Sequence, residues 1–245
     1  MNEFDIRNGV SFNGVHSYRD WGLYLKERPV IEPPDPKTTF VDVPGANGSL
    51  DLSTSLTDGD IKFKNRNIKI VLAKFDGVQY WDDLFSDIQN YLHGQDMEVV
   101  FDTDKSYYYT GRLEVDSIEY EGYKSFITIK GSMYPYKKDR SNSTGQWVWD
   151  TFNFETGVIR NYGNVEIDGT KELTVYGLRE MVVPKITVVS DSSITIKIQW
   201  KGETATKVLK SGVHEDYDLR IREGDNKVIM TGTGTVTIDY RGGSL

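Results

Sequence analysis

"VDVPGANGSLDLS", residues 41–53, alternates apolar and polar positions on either side of an Asn-Gly pair. Alternation with a period of two is typical of a β-strand. Asn-Gly is typical of the type I′ turn of a β-hairpin, because both turn positions need a positive φ. This turn predicts a hairpin in which Val43 lies opposite Leu52. Pro44 has no N–H for a neighbouring strand, which favours an edge or a projecting arm over a central strand.

Most of the remaining sequence also alternates with a period of two, and turns rich in Gly, Asn and Asp recur at roughly 8–12 residue spacing. Such a series of short strands is typical of β-sandwiches and barrels. One segment differs, because "WDDLFSDIQNYLHG", residues 81–94, repeats its apolar side chains at helical spacing. The sequence therefore predicts an all-β fold with one short helix near residues 80–93.

The polar stretch at residues 138–146 carries no apolar period and is the predicted linker between two domains. Before it, residues 1–137 contain a series of strands and the predicted helix, and they are predicted to form a β-sandwich or split barrel. After it, residues 147–245 are predicted to form a second β-sandwich from short strands.

The 245-residue chain has a formal net charge of −8, and nearly all of it lies in the first predicted domain. Residues 1–137 carry 15 Lys and Arg against 22 Asp and Glu, a balance of −7, and residues 138–245 carry 14 against 15, a balance of −1. Nucleic-acid binding needs clustered cations to displace phosphate counterions, so specific binding is not expected. No apolar run is long enough to cross a bilayer, so membrane insertion is not expected either.

Motifs that carry catalytic or metal chemistry are missing from the sequence. There is no cysteine, and His16, His93 and His214 lie far apart with no companion at the spacing of a zinc site. The nucleophile elbow, the phosphate-binding loop and the dinucleotide fingerprint are also missing. "DTDKS", residues 102–106, begins like a calcium loop but has Tyr107 where that loop needs glycine. We therefore expect a protein that is not an enzyme and holds no metal or cofactor.

The second domain contains aromatic residues that admit two interpretations. Trp147 and Trp149 alternate on one face of a predicted strand, where paired indoles could contact a sugar. The interpretation we favour is that they close the end of the domain or the domain junction, where large aromatic side chains commonly lie. Trp200, which ends "ITIKIQW", is predicted to lie in the core. The alternative function is therefore a carbohydrate-binding adhesin that contacts host cell-wall sugar through Trp147, Trp149 or His214.

Seven short stretches, taken in order, carry a resemblance to a known family. They are "FNGVHSYRDWGLYL" (residues 12–25), "VPGANGSLDLS" (43–53), "NRNIKI" (65–70), "YLHG" (91–94), "FDTDKSYYYTGR" (101–112), "YPYK" (134–137) and "GDNKVIMTGTGTVTIDYRGGSL" (224–245). No single stretch is specific. Their order and spacing over almost the whole chain resemble the distal tail (Dit) family of long-tailed, non-contractile phages, the siphophages, and of related prophages.

The resemblance implies a fold and a role. Family first domains form a six-membered ring below the tail tube with a central channel for DNA passage, and second domains are galectin-like or carbohydrate-module-like β-sandwiches outside the ring. Such proteins are virion structural hubs at the distal end of the tail, made and assembled in the host cytoplasm. They join the tail tube protein to the tail-tip protein (a tail-associated lysin or fibre) and to receptor-binding or baseplate proteins for host attachment. The sugar-binding residues of galectins are not found around His214, so the resemblance does not predict that this chain binds a glycan.

With this resemblance the hairpin gains a predicted role in a homo-hexamer. We expect its apolar side chains to pack on a neighbouring first domain in a heterologous contact. The residues assigned to this oligomer interface are Val41, Val43, Pro44, Asn47, Gly48, Leu50 and Leu52. The alternative is that the hairpin folds back on its own sheet, since exposed ribbons usually find cover.

Overall fold

The computed structural model describes residues 8–57, 59–74, 81–121, 124–140 and 161–245. These residues form two compact units. Unit 1 draws on Met1–Asp104, Tyr109–Pro135 and Leu245, and unit 2 draws on Lys105–Tyr108 and Tyr136–Ser244. The domain limits 1–137 and 147–245, with their linker, stay predictions, because residues 141–160 lie outside the described part of the chain.

The described residues of unit 1 form an antiparallel sheet, a separate hairpin and two α-helices. The strands are β1 (Val10–Phe12), β2 (Val15–His16), β3 (Tyr24–Leu25), β4 (Val30–Ile31), β5 (Phe40–Asp42), β6 (Ser49–Asp51), β7 (Arg66–Lys74), β8 (Asp96–Phe101), β9 (Tyr107–Glu121) and β10 (Lys124–Met133). The helices are α1 (Ser17–Trp21) and α2 (Trp81–Leu92), and a 3-10 turn spans Asp102–Asp104. The sheet order is β2-β1-β8-β9-β10-β7-β3, β4 also pairs with β7, and β5 and β6 form a sheet of their own. The first two residues of β9 are assigned to unit 2.

The helix α2 packs its apolar stripe into the core of unit 1. Trp81, Phe85, Ile88 and Leu92 are at most 3% exposed. They share one core with inward-facing side chains of the sheet, including Ile70 of β7. The opposite face of the helix is polar and exposed, as expected for an element with one buried face. The predicted short helix is therefore confirmed.

The predicted hairpin is formed by β5 and β6, but in a different register. Val41 pairs with Leu50, so the predicted pairing of Val43 with Leu52 is wrong. The loop between the two strands is therefore longer than the two-residue turn that the Asn-Gly pair predicts.

The turn of the hairpin explains this difference. The Ala46 amide donates to the Val43 carbonyl at 3.1 Å across the Pro-Gly pair at 44–45, and the glycine of that pair has φ +84°. Proline followed by a glycine with positive φ is typical of a type II turn. Asn47 does not have a positive φ, so the type I′ turn expected at Asn-Gly does not form.

Unit 2 is an antiparallel β structure. Its strands are β11 (Lys137–Asp139), β12 (Val165–Gly177), β13 (Lys185–Val189), β14 (Ile194–Trp200), β15 (Glu203–Leu209), β16 (Gly212–His214), β17 (Gly224–Asp239) and β18 (Gly243–Ser244). The main sheet has the order β15-β14-β17-β13-β16, and β12 also pairs with β17. β11 pairs with β18 and with the first residues of β9.

Alternate side chains of these strands form the core of unit 2. Ile194, Ile196 and Ile198 of β14 are buried together with Val228 and Met230 of β17. A period of two places such residues on one face of a sheet, where they exclude water from each other. The all-β fold with a short helix is confirmed, and α1 is a second, five-residue helix that the sequence does not predict. No helix within the described residues has the length and apolar character to cross a membrane.

The long strand β17 changes its partner along one side. β14 pairs with residues 227–231 and β13 pairs with residues 235–239, while β12 pairs along the other side. Gly232 and Gly234 lie between these two stretches, with φ +144° and +149°. A Cβ on Gly234 would lie 2.5 Å from the Val189 carbonyl oxygen, so the close approach of the two backbones requires glycine.

Candidate functional site

The hairpin arm, residues 39–53, presents apolar side chains to solvent. Phe40, Val41, Val43, Leu50 and Leu52 are between 38% and 61% exposed. All residues from 35 to 52 are exposed, and β5 and β6 pair with each other in a separate sheet. The arm therefore does not fold back on the sheet of unit 1, which was the alternative to an interface. A lone two-stranded ribbon is marginally stable in water, so this arm is suited to a covering partner.

The two faces of the arm differ in chemistry. Val41 and Leu50 are cross-strand partners, so their side chains lie side by side on one face. Asp42 and Ser49 pair on the other face, where the Ser49 hydroxyl donates to the Asp42 carboxylate at 2.6 Å. The register differs from the expected one by four residues, and an even shift leaves every side chain on its original face. The predicted apolar face is therefore kept although the predicted pairing is not.

The other predicted interface residues extend this face toward the tip and the base of the arm. Pro44, Asn47 and Gly48 lie in the loop at the tip, where Gly48 has φ +74°. Leu52 follows β6 at the base, and its amide donates to the Thr39 carbonyl at 2.9 Å. Contact of these residues with a second copy of the chain stays a prediction.

Backbone hydrogen bonds at the base of the arm join the segment before it to the segment after it. The Lys37 amide donates to the Lys62 carbonyl at 2.7 Å, and the Lys64 amide donates to the Asp35 carbonyl at 2.8 Å. The two ends of the arm are thus held next to each other, which reduces the entropy that a partner would have to remove on binding.

The histidines are used locally and do not assemble a reaction centre. Each has a hydrogen-bond partner: Asp102 for His16 (2.9 Å), the Val115 amide for His93 (3.1 Å) and the Lys210 carbonyl for His214 (2.7 Å). Within the described residues, no group of three or more His, Cys, Asp or Glu side chains is placed to hold a metal ion.

The structure describes only part of the set considered for glycan contact. Trp147 and Trp149 lie outside the described residues. His214 ends the edge strand β16, where it pairs with Ile186. The prediction that Trp200 lies in the core is wrong. Trp200 is half-buried, because it ends β14 where the strand leaves the core.

Trp200 instead forms part of a groove of about 320 Å³ beside the edge strand β15. The groove is also lined by five charged residues: Glu203, Lys207, Asp218, Arg220 and Arg222. The sequence does not predict this groove, because its walls come from segments that only the fold brings together. One sign of the groove is present in β15. Its charged residues Glu203 and Lys207 pair with Trp200 and Ile196, on the side of the strands that carries the apolar residues of β14.

Comparison with known proteins places this fold. No family model matches the chain, and no curated protein matches it by sequence. Among solved structures, the fold is similar to that of a phage hub protein. That phage protein is SPP1 Dit (gp 19.1), and its structure is described as a paradigm of the hub adsorption apparatus in phages that infect Gram-positive bacteria. The similarity covers 97% of this chain and 99% of that chain, with a TM-score of 0.61 and 12% sequence identity.

At this identity the comparison concerns the fold. On that level it confirms the resemblance to the distal tail family that the seven sequence stretches indicate. The likeness extends over both compact units rather than over one of them, because nearly the whole length of each chain is covered.

Proposed function

We propose that this protein is a structural distal tail protein of a siphophage or a related prophage, a homo-hexameric hub of the virion. The hub joins the tail tube protein to the tail-tip protein and to receptor-binding or baseplate proteins, and it performs no catalysis. The observation that carries this proposal is the likeness to a phage hub protein over 97% of this chain and 99% of the other. The ordered sequence stretches and the uncovered arm support the same role.

The arm supplies one of the contacts that close the ring. The side chains of Val41, Val43, Leu50 and Leu52 are 38–54% exposed in the single chain. Complete burial of one such side chain is worth about 1.5–3 kcal/mol, so covering the exposed half of four is worth about 3–6 kcal/mol. Association entropy and side-chain ordering offset much of that gain. The arm therefore acts together with other contacts, and ring formation depends on protein concentration.

The charge of the first predicted domain suits a passage for DNA. Residues 1–137 have a balance of −7, so six copies carry −42. Clustered cations would hold the phosphate backbone through counterion release, whereas an acidic wall does not retain it. We infer an acidic channel, and a ring with a basic channel wall would contradict this inference.

A charge pair on the apolar face tests ring closure. Val41→Glu with Leu50→Lys removes the apolar pair but places opposite charges across the two strands, which preserves the hairpin. We expect the unmodified protein to form a six-membered ring and the variant to remain single. Light scattering after size-exclusion chromatography gives the mass, and electron microscopy counts the subunits. Circular dichroism verifies that the variant is folded.

A matched control uses a cross-strand pair in unit 2. Thr195 lies opposite Val208, whose side chain is 66% exposed, so Thr195→Lys with Val208→Glu introduces the same charges away from the arm. This control is expected to form the same ring as the unmodified protein. If the arm variant is hexameric, the role of the arm in ring closure is refuted, but the hub proposal is not. An unmodified protein that stays single at every concentration, alone and with its tail tube protein, would refute the hub.

A further inference from the structure

Arg66, the first residue of β7, places a positive charge at one end of the core of unit 1. Its side chain lies on the same side of the strand as Ile68 and Ile70, which are at most 2% exposed, and Arg66 itself is 5% exposed. On the neighbouring strand β10 it pairs with Met133, which is fully buried. The guanidinium group is therefore largely shielded from the water that would otherwise solvate its charge.

The charge of Arg66 has no counter-ion within the described residues. No ion pair there includes its guanidinium group, and Nε is enclosed without a hydrogen-bond partner. The ring of Tyr109 is nearby, with its centre 5.6 Å from the guanidinium carbon, but a phenol carries no negative charge at neutral pH. A second buried arginine, Arg222, differs in this respect, because its Nη2 lies 3.4 Å from Oε2 of Glu203.

Burial of this unpaired charge is unfavourable for the single chain. Burial lowers the pKa of Arg66, and the nearby Tyr109 opposes that change only in part. An arginine nevertheless stays charged at neutral pH, so the cost is not relieved by loss of a proton. Of the guanidinium nitrogens only Nε is enclosed without a partner, so the terminal fork faces the surface. A carboxylate placed at that fork would accept two hydrogen bonds and supply the missing negative charge.

Arg66 lies at the base of the arm, between two backbone hydrogen bonds. The Lys64 amide donates to the Asp35 carbonyl at 2.8 Å, and the Glu32 amide donates to the Asn67 carbonyl at 3.0 Å. A neighbouring copy that covers the arm therefore also approaches the start of β7. Residues 1–137 have a balance of −7, so such a copy has more carboxylates than cations to place there.

We propose that Arg66 is a docking point for a carboxylate side chain of the neighbouring copy in the ring, which supplies the counter-ion that the chain itself lacks. The inference rests on the ring proposed above and adds a charged contact to the apolar contact of the arm. The opposing interpretation is that Arg66 only closes the end of the core beside Tyr109. The two interpretations differ in what they predict for the single chain.

Arg66→Met separates them, because methionine is a flexible side chain that can fill the site without a charge. In the single chain, diluted until light scattering gives the mass of one copy, the urea midpoint should stay the same or rise, since an unpaired buried charge has been removed. The concentration at which half of the protein is in rings should rise about tenfold or more, since each contact loses a charge-assisted hydrogen bond. A purely structural arginine gives the reverse, a lower midpoint with unchanged assembly.

Arg19→Met is the matched control. The Arg19 side chain is 68% exposed, and its counter-ion is in its own chain, with Nη2 2.9 Å from Oδ2 of Asp20. The change removes the same charge from the same unit, but on α1, which follows β2 at the other end of the sheet order. Its assembly is expected to match that of the unmodified protein. Circular dichroism checks that both variants are folded.

Arg66→Lys identifies the partner, because it keeps the charge and introduces an amine. Rings mixed from isotope-labelled and unlabelled chains of this variant are treated with a carbodiimide, which joins an amine to a carboxylate in direct contact. Mass spectrometry is expected to find position 66 linked to an Asp or Glu of residues 1–137. Labelled and unlabelled peptides should occur in the same link, which shows that it joins two copies.

The inference is overturned if Arg66→Met assembles as the control does, or if position 66 forms no link between chains. A link that appears only after the tail tube protein is added overturns it as well, because the carboxylate then belongs to another protein. If Arg66→Met lowers the midpoint and also weakens assembly, the link decides. Rings of Arg66→Met that form normally leave the hub intact, whereas an unmodified protein that never forms a ring contradicts both proposals.

Discussion

His16 and Asp102, 86 residues apart in the chain, are joined by a hydrogen bond of 2.9 Å between Nε2 and Oδ2. The same imidazole caps α1, because its Nδ1 accepts from the amides of Tyr18 at 3.2 Å and Arg19 at 3.1 Å. A ring nitrogen that accepts carries no hydrogen, so the neutral ring has its hydrogen on Nε2 and donates to Asp102. One side chain therefore starts a helix and ties it to the end of β8.

Substitutions at His16 separate these two roles. His16→Ala removes both the cap and the bond to Asp102, and we expect it to lower the free energy of unfolding by about 2–3 kcal/mol. His16→Asn keeps a capping oxygen but not the bond to Asp102, so it should recover about 1 kcal/mol of that loss. Urea unfolding followed by fluorescence gives both values. Equal losses in the two variants would rule out the capping role.

Asp20 of α1 makes the free energy of unfolding depend on pH in the acid range. Asp20 Oδ2 accepts from the His16 backbone amide at 2.7 Å and lies 2.9 Å from Arg19 Nη2. The hydrogen bond from Arg19 and then that from the His16 amide lower the pKa of Asp20 from 3.8 to about 2. Because the pKa is lower in the folded state than in the unfolded state, the stabilisation is complete above about pH 5 and is lost as the pH falls from about 4 toward 2.

This dependence can be measured as the urea midpoint at a series of pH values. The midpoint of the unmodified protein should fall over the acid range, and Asp20→Asn should make that fall shallower. Asp83→Asn removes an exposed carboxylate of α2 and controls for the change in net charge. If both variants give the same pH profile, the paired carboxylate of Asp20 is not the source of the acid sensitivity.

Two glycines in unit 2 distinguish backbone strain from lack of space. Gly234 and Gly212 have similar φ angles, +149° and +138°. A Cβ at Gly234 would lie 2.5 Å from the Val189 carbonyl oxygen, whereas at Gly212 the nearest atom is His214 Nε2 at 3.8 Å. Gly212→Ala should cost about 1–2 kcal/mol from strain alone. Gly234→Ala should cost at least about 2 kcal/mol more, because the neighbouring backbone has to move.

Thermal unfolding of the two glycine variants provides the comparison. The melting temperature should fall clearly further for Gly234→Ala than for Gly212→Ala. Equal shifts would mean that β17 and the end of β13 can separate without cost.

The periodic parts of the fold could be predicted because their period reports burial directly. The apolar stripe of α2 repeats at helical spacing, and the expected helix near 80–93 matches the observed Trp81–Leu92. The alternation in β14 likewise identifies the side chains that face the core of unit 2. In both cases a single face is buried, so the pattern and the structure have the same cause.

The turn of the arm could not be predicted because two turn signals compete within residues 44–48. Pro-Gly suits a type II turn and Asn-Gly suits a type I′ turn, and the local sequence does not decide between them. The faces of the arm could nevertheless be predicted, since both pairings keep Val41 and Leu50 on the same side.

Features built from distant residues could not be predicted either. The helix α1 has five residues, too few for a period, and the orientation of its capping imidazole depends on Asp102. The groove is likewise built from distant residues. Arg222 lies in the segment after β16, and the fold brings it to Glu203 at the start of β15.

Unit 2 also takes residues 105–108 from the first half of the chain. Within that stretch Tyr108 pairs with Lys138 of β11, and its hydroxyl accepts from Arg241 at 3.2 Å. A gene fragment that encodes residues 147–245 alone would therefore omit part of the unit's own fold. Recombination that exchanged this unit between related genes would have to transfer two separate stretches in one event, which favours the joint inheritance of both halves.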